Sequence, residues 1–149
     1  MPKPCIVDTN VVVSGLIGKG GPPTQIVNAM LRGELPYALS ADLFEEYASV
    51  LRRPTLVSLH GCSGNELGAL LEDIAANAIW QEPEATARAP DAGDNHVWAL
   101  LAEMEGGQLV TGDRLLLENP PDGASVMSPR DFVDACLPAL SPDDSGSGA

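Results

Sequence analysis

The sequence places acidic residues at points where carboxylates could act together, namely Asp8, Glu46, Asp94 and Asp113. Asp8 interrupts an apolar, β-branched run at 5–13, which is typical of a strand buried on both faces. Burying a carboxylate there is costly without a partner, so we expect the strand to end near Asp8 and present it at the carboxyl edge of a sheet. Asp113 follows the apolar strand predicted at 108–111 and reaches the same kind of edge, where α/β proteins bind ligands.

Helical spacing decides where Glu46 points. The segment 41–53 predicts a helix, with Ser40 as its N-cap and an apolar arc that includes Tyr47. At about 100° per residue, Glu45 falls opposite the centre of that arc, whereas Glu46 falls at its edge. We therefore expect the side chain of Glu46 to lie at the boundary of the core and that of Glu45 to lie in solvent.

Asp94 opens a later helix, which is predicted to run to about residue 105. It precedes Val97 by three positions and Leu101 by seven, so helical spacing places it in the first turn, on the inner face. His96 points away from that face, and we interpret it as an exposed imidazole. Compensation of the helix dipole explains an acid near a helix start but not an inward one, so Asp94 is a candidate site residue.

The elements that must position these acids alternate between strand and helix along the chain. This alternation favours an α/β fold with a parallel sheet and right-handed crossovers. We expect the first strand to span 5–12, a glycine-rich loop to span 14–23 and a second loop to span 55–63. Strands that end at one sheet edge, and helices that begin there, would bring the four acids together.

Carboxylates that converge in a low-dielectric cleft repel one another, so they must take up protons or bind a hard cation. Mg²⁺ and Mn²⁺ prefer oxygen ligands of this kind and keep several waters. Such a site activates water and supports in-line displacement at a phosphodiester. Asn10 and Thr111 stand beside the acids of the two strands, where they could orient waters or carboxylates.

The order of these motifs resembles that of the PIN-domain nucleases: Val-Asp-Thr-Asn at 7–10, Glu46, Asp94 and Val-Thr-Gly-Asp at 110–113. The segments 40–54 and 110–114 resemble, more narrowly, the VapC-like toxins among small prokaryotic PIN proteins. The resemblance implies a three-layer α/β/α fold with a central, mostly parallel sheet of about 4–5 strands. We expect a single PIN-like domain over residues 1–137 and a flexible tail over 138–149.

The resemblance also implies a Mg²⁺- or Mn²⁺-dependent endoribonuclease acting on single-stranded RNA or tRNA, frequently a homodimer and, as a toxin, inhibited by an antitoxin protein. It assigns catalysis and metal binding to Asp8, Glu46, Asp94 and Asp113, with Asn10 and Thr111 as polar supports. One position departs from the pattern, because Leu115 stands where many members carry another acid. One-metal chemistry or low activity therefore stays open.

Two other functions stay open alongside the nuclease. The first is a catalytically inactive PIN scaffold that acts as a protein-interaction module, which Leu115 and the acidic charge favour. The second is a phosphatase or phosphotransferase that uses Asp8 as its nucleophile. The Asp-x-Asp pattern common in one such family is absent, because residue 10 is Asn.

Composition bounds these hypotheses. The chain has 149 residues, enough for one domain with a substantial core, and a formal net charge of −13. An acidic chain binds nucleic acid poorly without local cations, and the candidates near the cleft are Lys19, Arg52, Arg53 and Arg114. The scattered cysteines predict reduced thiols, and no signal peptide or membrane span is evident, so we expect a cytoplasmic protein without membrane contact.

Overall fold

Short parallel strands form the centre of the fold. The computed structural model describes residues 4–137, so the tail predicted at 138–149 lies outside the described residues. The described strands are β1 Cys5–Val7, β2 Ala38–Leu39, β3 Ile79–Trp80, β4 Gln108–Val110 and β5 Ser125–Met127. Three of them form a parallel sheet in the order β1-β4-β5, and β2 pairs in parallel with β3. A parallel bridge between Cys5 and Tyr37 links the two pieces, as expected for an α/β fold.

The register of the sheet sets two loops side by side. Val7 pairs with Val110, so β1 and β4 end at the same level. The backbone N–H of Asp8 then donates to the carbonyl of Val110 at 2.9 Å, and the N–H of Thr111 donates to Met127 at 3.0 Å. The residues that leave both strands therefore emerge at one carboxyl edge, where ligands bind in such sheets.

Helices connect and flank the strands. Within the described range they are α1 Thr9–Ile17, α2 Pro22–Leu31, α3 Ala41–Leu51, α4 Pro54–His60, α5 Gly64–Asn77, α6 Asn95–Ala102, α7 Arg114–Glu118 and α8 Pro129–Cys136. A 3₁₀ turn, Ala92–Asp94, precedes α6. Helix α1 packs against α2 and α3, and α2 packs against α5 and α8. Among residues 4–137, no helix combines the length and the apolar character that crossing a bilayer requires.

The first strand ends beside Asp8, as the cost of burying a carboxylate predicts, but it is shorter than the range expected from its apolar residues. We expected a strand over 5–12 and a loop over 14–23, but β1 ends at Val7 and α1 continues to Ile17. The carboxylate of Asp8 accepts from the N–H of Thr9 and caps the helix. The β-branched residues of α1 favour a strand intrinsically, but burial of this helix against its neighbours outweighs that weak preference.

The loop predicted at 55–63 is also largely wrong, because most of it forms α4. Pro54 occupies the first turn of this helix, where its missing N–H costs nothing. Gly61 then ends α4 in the left-handed conformation, with φ +69°. None of the residues of α4 is buried, so the helix lacks the apolar stripe by which helices are recognised in a sequence.

The core lies around β1, β2 and β4, with aliphatic side chains from α2, α3, α5 and α6 packed around them. Two buried tyrosines tie the helices to the strands through their hydroxyls. Tyr47 of α3 donates to the carbonyl of Val7, and Tyr37 beside β2 donates to the carbonyl of Ile74 in α5 at 2.6 Å. The first bond holds α3 against the end of β1, which brings Glu46 towards the edge of the sheet.

Candidate active site

Asp8 is the most deeply placed of the four acids, with only 4% of its surface exposed. One carboxylate oxygen accepts from the N–H of Thr9 at 2.9 Å. The other accepts from the hydroxyl of Thr111 at 2.8 Å and from Nδ2 of Asn10 at 3.1 Å. Burial raises the pKa of Asp8, and the hydrogen bonds from Thr111 and Thr9 oppose that rise. The carboxylate is thus held in one orientation by groups that favour its charged form.

The loop after β4 is built around Asn10 and Thr111. Asn10 accepts from the N–H of Gly112 at 2.9 Å, and its Nδ2 also reaches the hydroxyl of Thr111 at 3.2 Å. The same hydroxyl accepts from the N–H of Asp113 at 3.0 Å. The carboxylate of Asp113 then caps α7 by accepting from the N–H of Leu115 at 2.9 Å. Two polar residues therefore join the first acid to the last across the edge of the sheet.

Glu46 is held from both sides. One of its oxygens accepts from the hydroxyl of Thr9, and the other lies 3.4 Å from Nε2 of His96. The bond to His96 lowers the pKa of Glu46, and the hydrogen bond from Thr9 and the charge of Arg53 lower it further. Burial of the carboxylate opposes these effects. The same pairing raises the pKa of His96. Glu46 therefore keeps its charge beside the other acids.

His96 corrects one sequence interpretation, because it is half-buried against Glu46 rather than exposed. Helical spacing was counted from Asp94, but the α-helix begins at Asn95 and the preceding turn is 3₁₀. Helix α6 also buries Ala99 and Leu100, which follow His96 by three and four positions, so His96 shares a buried side of the helix. Its Nδ1 is buried and has no partner within residues 4–137.

Thr9 is not identified as a site residue from the sequence. It lies in the first turn of α1, and the β-branched residues of this helix predict a strand instead.

Asp94 lies at the end of the 3₁₀ turn, and Asp91 caps that turn by accepting from Gly93. Burial raises the pKa of Asp94 to about 6, with further contributions from the negative charges of Asp8, Asp91, Asp113 and Glu46. Unlike Asp8, its carboxylate makes no capping hydrogen bond. It is therefore the least constrained acid of the site and the one that most readily takes up a proton.

The four acids line one open cleft of about 360 Å³, together with Thr9, Asn10, Val13, Ser14 and Val50. Thr111 is fully buried behind Asp8 and does not line it. The structure thus brings together all four acidic side chains selected from the sequence, although they come from separate elements. Their mutual repulsion contributes to the raised pKa values of Asp8 and Asp94.

The basic residues selected as RNA contacts are placed less favourably. Lys19, Arg52, Arg53 and Arg114 are all exposed, and none of them lines the acidic cleft. Arg53 is close enough to Glu46 to lower its pKa. Arg52 instead lines a separate hollow with Phe44 and Ala48, on another side of α3. Of these four residues, Arg53 is therefore the one whose charge lowers the pKa of an acid in the cleft.

The cleft suits a hard divalent cation, because its four carboxylates and the side chains of Thr9, Asn10 and Ser14 all offer oxygen atoms. Among residues 4–137, however, no three side chains of His, Cys, Asp or Glu stand close enough to form a ready metal site. Several of the oxygens are engaged by Thr9, Asn10 and Thr111. Binding an ion would therefore require the carboxylates to shift from the positions described here.

Comparison with known protein families identifies the type of domain. A family model described as the PIN domain matches residues 4–115, a range that contains the four acids of the cleft as well as Asn10 and Thr111. No curated protein matches the chain.

Proposed function

The chain belongs to the PIN-domain family, and from this premise we propose that it is a Mg²⁺- or Mn²⁺-dependent endoribonuclease. PIN domains are generally nucleases, which makes a phosphodiester the expected substrate. The observation that carries the proposal is the convergence of Asp8, Glu46, Asp94 and Asp113 on one cleft. Such a concentration of negative charge binds a cation better than it binds the phosphate of a nucleic acid on its own.

The acids of the cleft differ in how strongly hydrogen bonds constrain them. Asp8 and Glu46 accept hydrogen bonds from Thr111, Thr9 and His96, which orient their carboxylates, and some of these bonds would have to rearrange before the oxygens could bind an ion. Asp94, with no capping bond, would adapt its position or move a proton at its carboxylate. A bound Mg²⁺ or Mn²⁺ would lower the pKa of a coordinated water and stabilise charge on the phosphodiester.

The narrower features remain proposals that follow from the resemblance. We propose single-stranded RNA or tRNA as the substrate, a toxin role with an antitoxin partner, and a homodimer. Leu115 favours a site with fewer acidic ligands, because it stands where an acid is often found and is 45% exposed. Chemistry with one metal is the form of catalysis that this substitution supports.

A phosphotransferase that uses Asp8 as its nucleophile is less consistent with the geometry. Both oxygens of Asp8 accept hydrogen bonds, and the residue is almost completely buried. An attacking carboxylate needs a free oxygen in contact with the substrate.

The test is RNA cleavage by Asp8→Asn, which keeps the size of the side chain and removes its charge. We expect the wild-type chain to cleave single-stranded RNA with Mn²⁺, and Asp8→Asn or excess EDTA to reduce the rate by about 100-fold or more. Asp131→Asn is the matched control, because Asp131 is exposed in the first turn of α8 and outside the cleft. Its rate should equal that of the wild type.

Two outcomes would contradict the proposal. Unchanged cleavage by Asp8→Asn, with circular dichroism that shows a native fold, would remove the acidic cleft from the mechanism. Absence of cleavage by the wild type across an RNA panel with Mn²⁺, together with a stable dimer or partner complex, would favour the interaction module instead.

A further inference from the structure

A second cavity adjoins the acidic cleft through the pair formed by Glu46 and His96. It has a volume of about 310 Å³ and is lined from the start of α3, the segment 81–91 and the first turns of α6. His96 lines this cavity, whereas Glu46 lines the acidic cleft, and 3.4 Å separate Nε2 from Oε2. A single side-chain pair therefore connects the two spaces, and a ligand that extends beyond the acids would meet this cavity.

The irregular wall of the cavity is tied in place at both ends. The carboxylate of Glu82 accepts from the N–H of Ala41 at 2.6 Å, which fastens the segment to the start of α3. The N–H of Ala89 donates to Oδ1 of Asn95 at 2.8 Å, which fastens it to the start of α6. The cavity is thus formed by hydrogen-bonded backbone rather than by a loose loop, as expected of a binding site.

The lining combines small apolar walls with a few polar groups. Pro83, Ala87 and Ala99 provide apolar surface without bulk. Asp42 provides an exposed carboxylate as an acceptor, and its charge acts on the adjacent His96. Asn95 provides a donor, because its Oδ1 is occupied and its Nδ2 has no acceptor within residues 4–137.

This combination selects among ligand classes. A phosphate or carboxylate would be repelled by Asp42 and by the four acids beyond His96. A neutral, flat ring with N–H donors and a carbonyl on its edge would fit both the apolar walls and the polar groups. Nucleobases have these features, and proteins read them in single strands by packing on their faces and bonding to their edges.

We infer that this cavity is a nucleobase subsite, which receives the base next to the phosphodiester held at the acidic cleft. The inference rests on the proposed ribonuclease function for its orientation towards the cleft. Asp42 would accept from N–H groups of the base, and Asn95 would donate to its carbonyl. Guanine offers two adjacent N–H donors to a carboxylate and a carbonyl beside them, so it is the base the site prefers.

The test measures binding without cleavage. The ¹⁵N-labelled chain is titrated with the four nucleoside 5′-monophosphates in the presence of Mg²⁺, which offsets the repulsion between their phosphates and the acids, and the side-chain amide of Asn95 and the backbone amides of Thr86 and Ala87 are followed by NMR. We expect these signals to shift with the nucleotides, most strongly with the guanosine form. Ribose 5-phosphate, which lacks a base, should leave them in place.

A pair of variants identifies the recognising group. Asp42→Asn should weaken the guanosine nucleotide by about 10-fold, because the carboxylate that accepts both N–H groups becomes a mixed amide. Glu45→Gln removes the same charge from an exposed position of the same helix that does not line the cavity, and it should bind as the wild type does. If Asp42→Asn binds the guanosine nucleotide as tightly as Glu45→Gln does, Asp42 does not recognise the base and the inference is overturned.

The outcomes separate this inference from the ribonuclease proposal. If the signals shift with nucleotides and the wild type cleaves no RNA, the subsite stands and the ribonuclease proposal fails. If RNA is cleaved but no nucleotide shifts these signals, the subsite is overturned and the ribonuclease proposal stands. Equal shifts with ribose 5-phosphate would likewise overturn recognition of a base.

Discussion

At the scale of single residues, the site depends on how a buried carboxylate is satisfied. Asp8 is almost fully enclosed, yet the hydroxyl of Thr111, the amide of Asn10 and the N–H of Thr9 all donate to it. A buried charge without such donors would be strongly unfavourable, and the group would take up a proton instead. Threonine and asparagine are therefore as necessary to the cleft as the acids themselves.

Thr111→Val tests this dependence, because it keeps the shape of the side chain and removes the hydroxyl. Asp8 loses a donor and the N–H of Asp113 loses its acceptor, so we expect a loss of about 1–3 kcal/mol in the free energy of unfolding. Urea denaturation measures this change. Thr55→Val is the control at an exposed position of α4 and should be nearly neutral. Equal stabilities for the two variants would contradict the role of the Thr111 hydroxyl.

The raised pKa of Asp94 leads to a prediction of how the free energy of unfolding depends on pH in EDTA. Its pKa is raised from 3.8 to about 6, so the folded chain keeps a proton that the unfolded chain has already released. Stability from this group should therefore fall as the pH rises from about 4 to about 6 and then level off. Asp94→Asn should flatten this part of the profile in urea titrations with EDTA, whereas Asp134→Asn, exposed on α8, should not. A profile unchanged by Asp94→Asn would refute the prediction.

At the scale of elements, the site depends on how closely α1 and α2 pack. Gly15 of α1 is buried against α2, and a Cβ added there would lie 2.5 Å from Cγ2 of Val27 and 2.7 Å from the carbonyl oxygen of Pro23. The second contact is to backbone, which cannot rotate away. Since α1 also carries Asp8 as its cap and Thr9 in its first turn, its position sets the geometry of the cleft.

Gly15→Ala should force the two helices apart and cost about 1–3 kcal/mol in the free energy of unfolding. Gly68→Ala is the matched control within a helix, since a Cβ at Gly68 meets nothing within 4 Å. That control should stabilise the protein by about 0.5–1 kcal/mol, because alanine is the better helix former. Thermal and urea unfolding of both variants measure the difference. Changes of the same sign in both would show that the close contact is not decisive.

At the scale of the whole molecule, the net charge of −13 opposes binding of RNA. Affinity for nucleic acid normally comes from lysine and arginine, but the four cations selected here lie outside the cleft. Of these four, Arg53 is the one whose charge lowers the pKa of a cleft acid, Glu46. We therefore expect the proposed ribonuclease to rely on a bound divalent ion and on contacts with the bases more than on phosphate contacts.

The dependence of RNA affinity on salt tests this expectation. With Asp8→Asn, which should bind without cutting, the slope of log affinity against log salt should be shallower than about −1.4, the value for two phosphate contacts on a single strand. Arg53→Gln should weaken binding more than Arg130→Gln, which changes an exposed residue at the start of α8. Fluorescence anisotropy with a labelled oligonucleotide measures both effects. A much steeper slope would mean that an extensive basic surface contributes after all.

The sequence predicts the fold class because apolar runs and turn residues are local signals, and most segments they mark form the predicted type of element in the folded chain. It is less reliable where one residue serves two elements. Asp8 ends a strand and also caps a helix, so the β-branched residues after it were assigned to the strand. Pro54 follows one helix and begins the next, which hid α4. In the first case burial of α1 against its neighbours selects the conformation, whereas in the second the local signals of Pro54 and Gly61 are compatible with either a loop or a helix.

The sequence by itself determined that Asp8 and Asp113 leave strand ends and that Glu46 and Asp94 face inward, because those positions depend on periods of two and 3.6 residues, but the same periods misplaced His96. Only the tertiary structure decided that Thr9 and His96 contact Glu46, and that Thr111 of the second loop, expected as a polar support, donates to Asp8 of the first. Those contacts join residues as much as 103 positions apart, and local patterns carry no information about which side chains meet across the edge of a sheet. The physical reason is that packing of α3, α6 and the two loops sets distances that no single segment encodes.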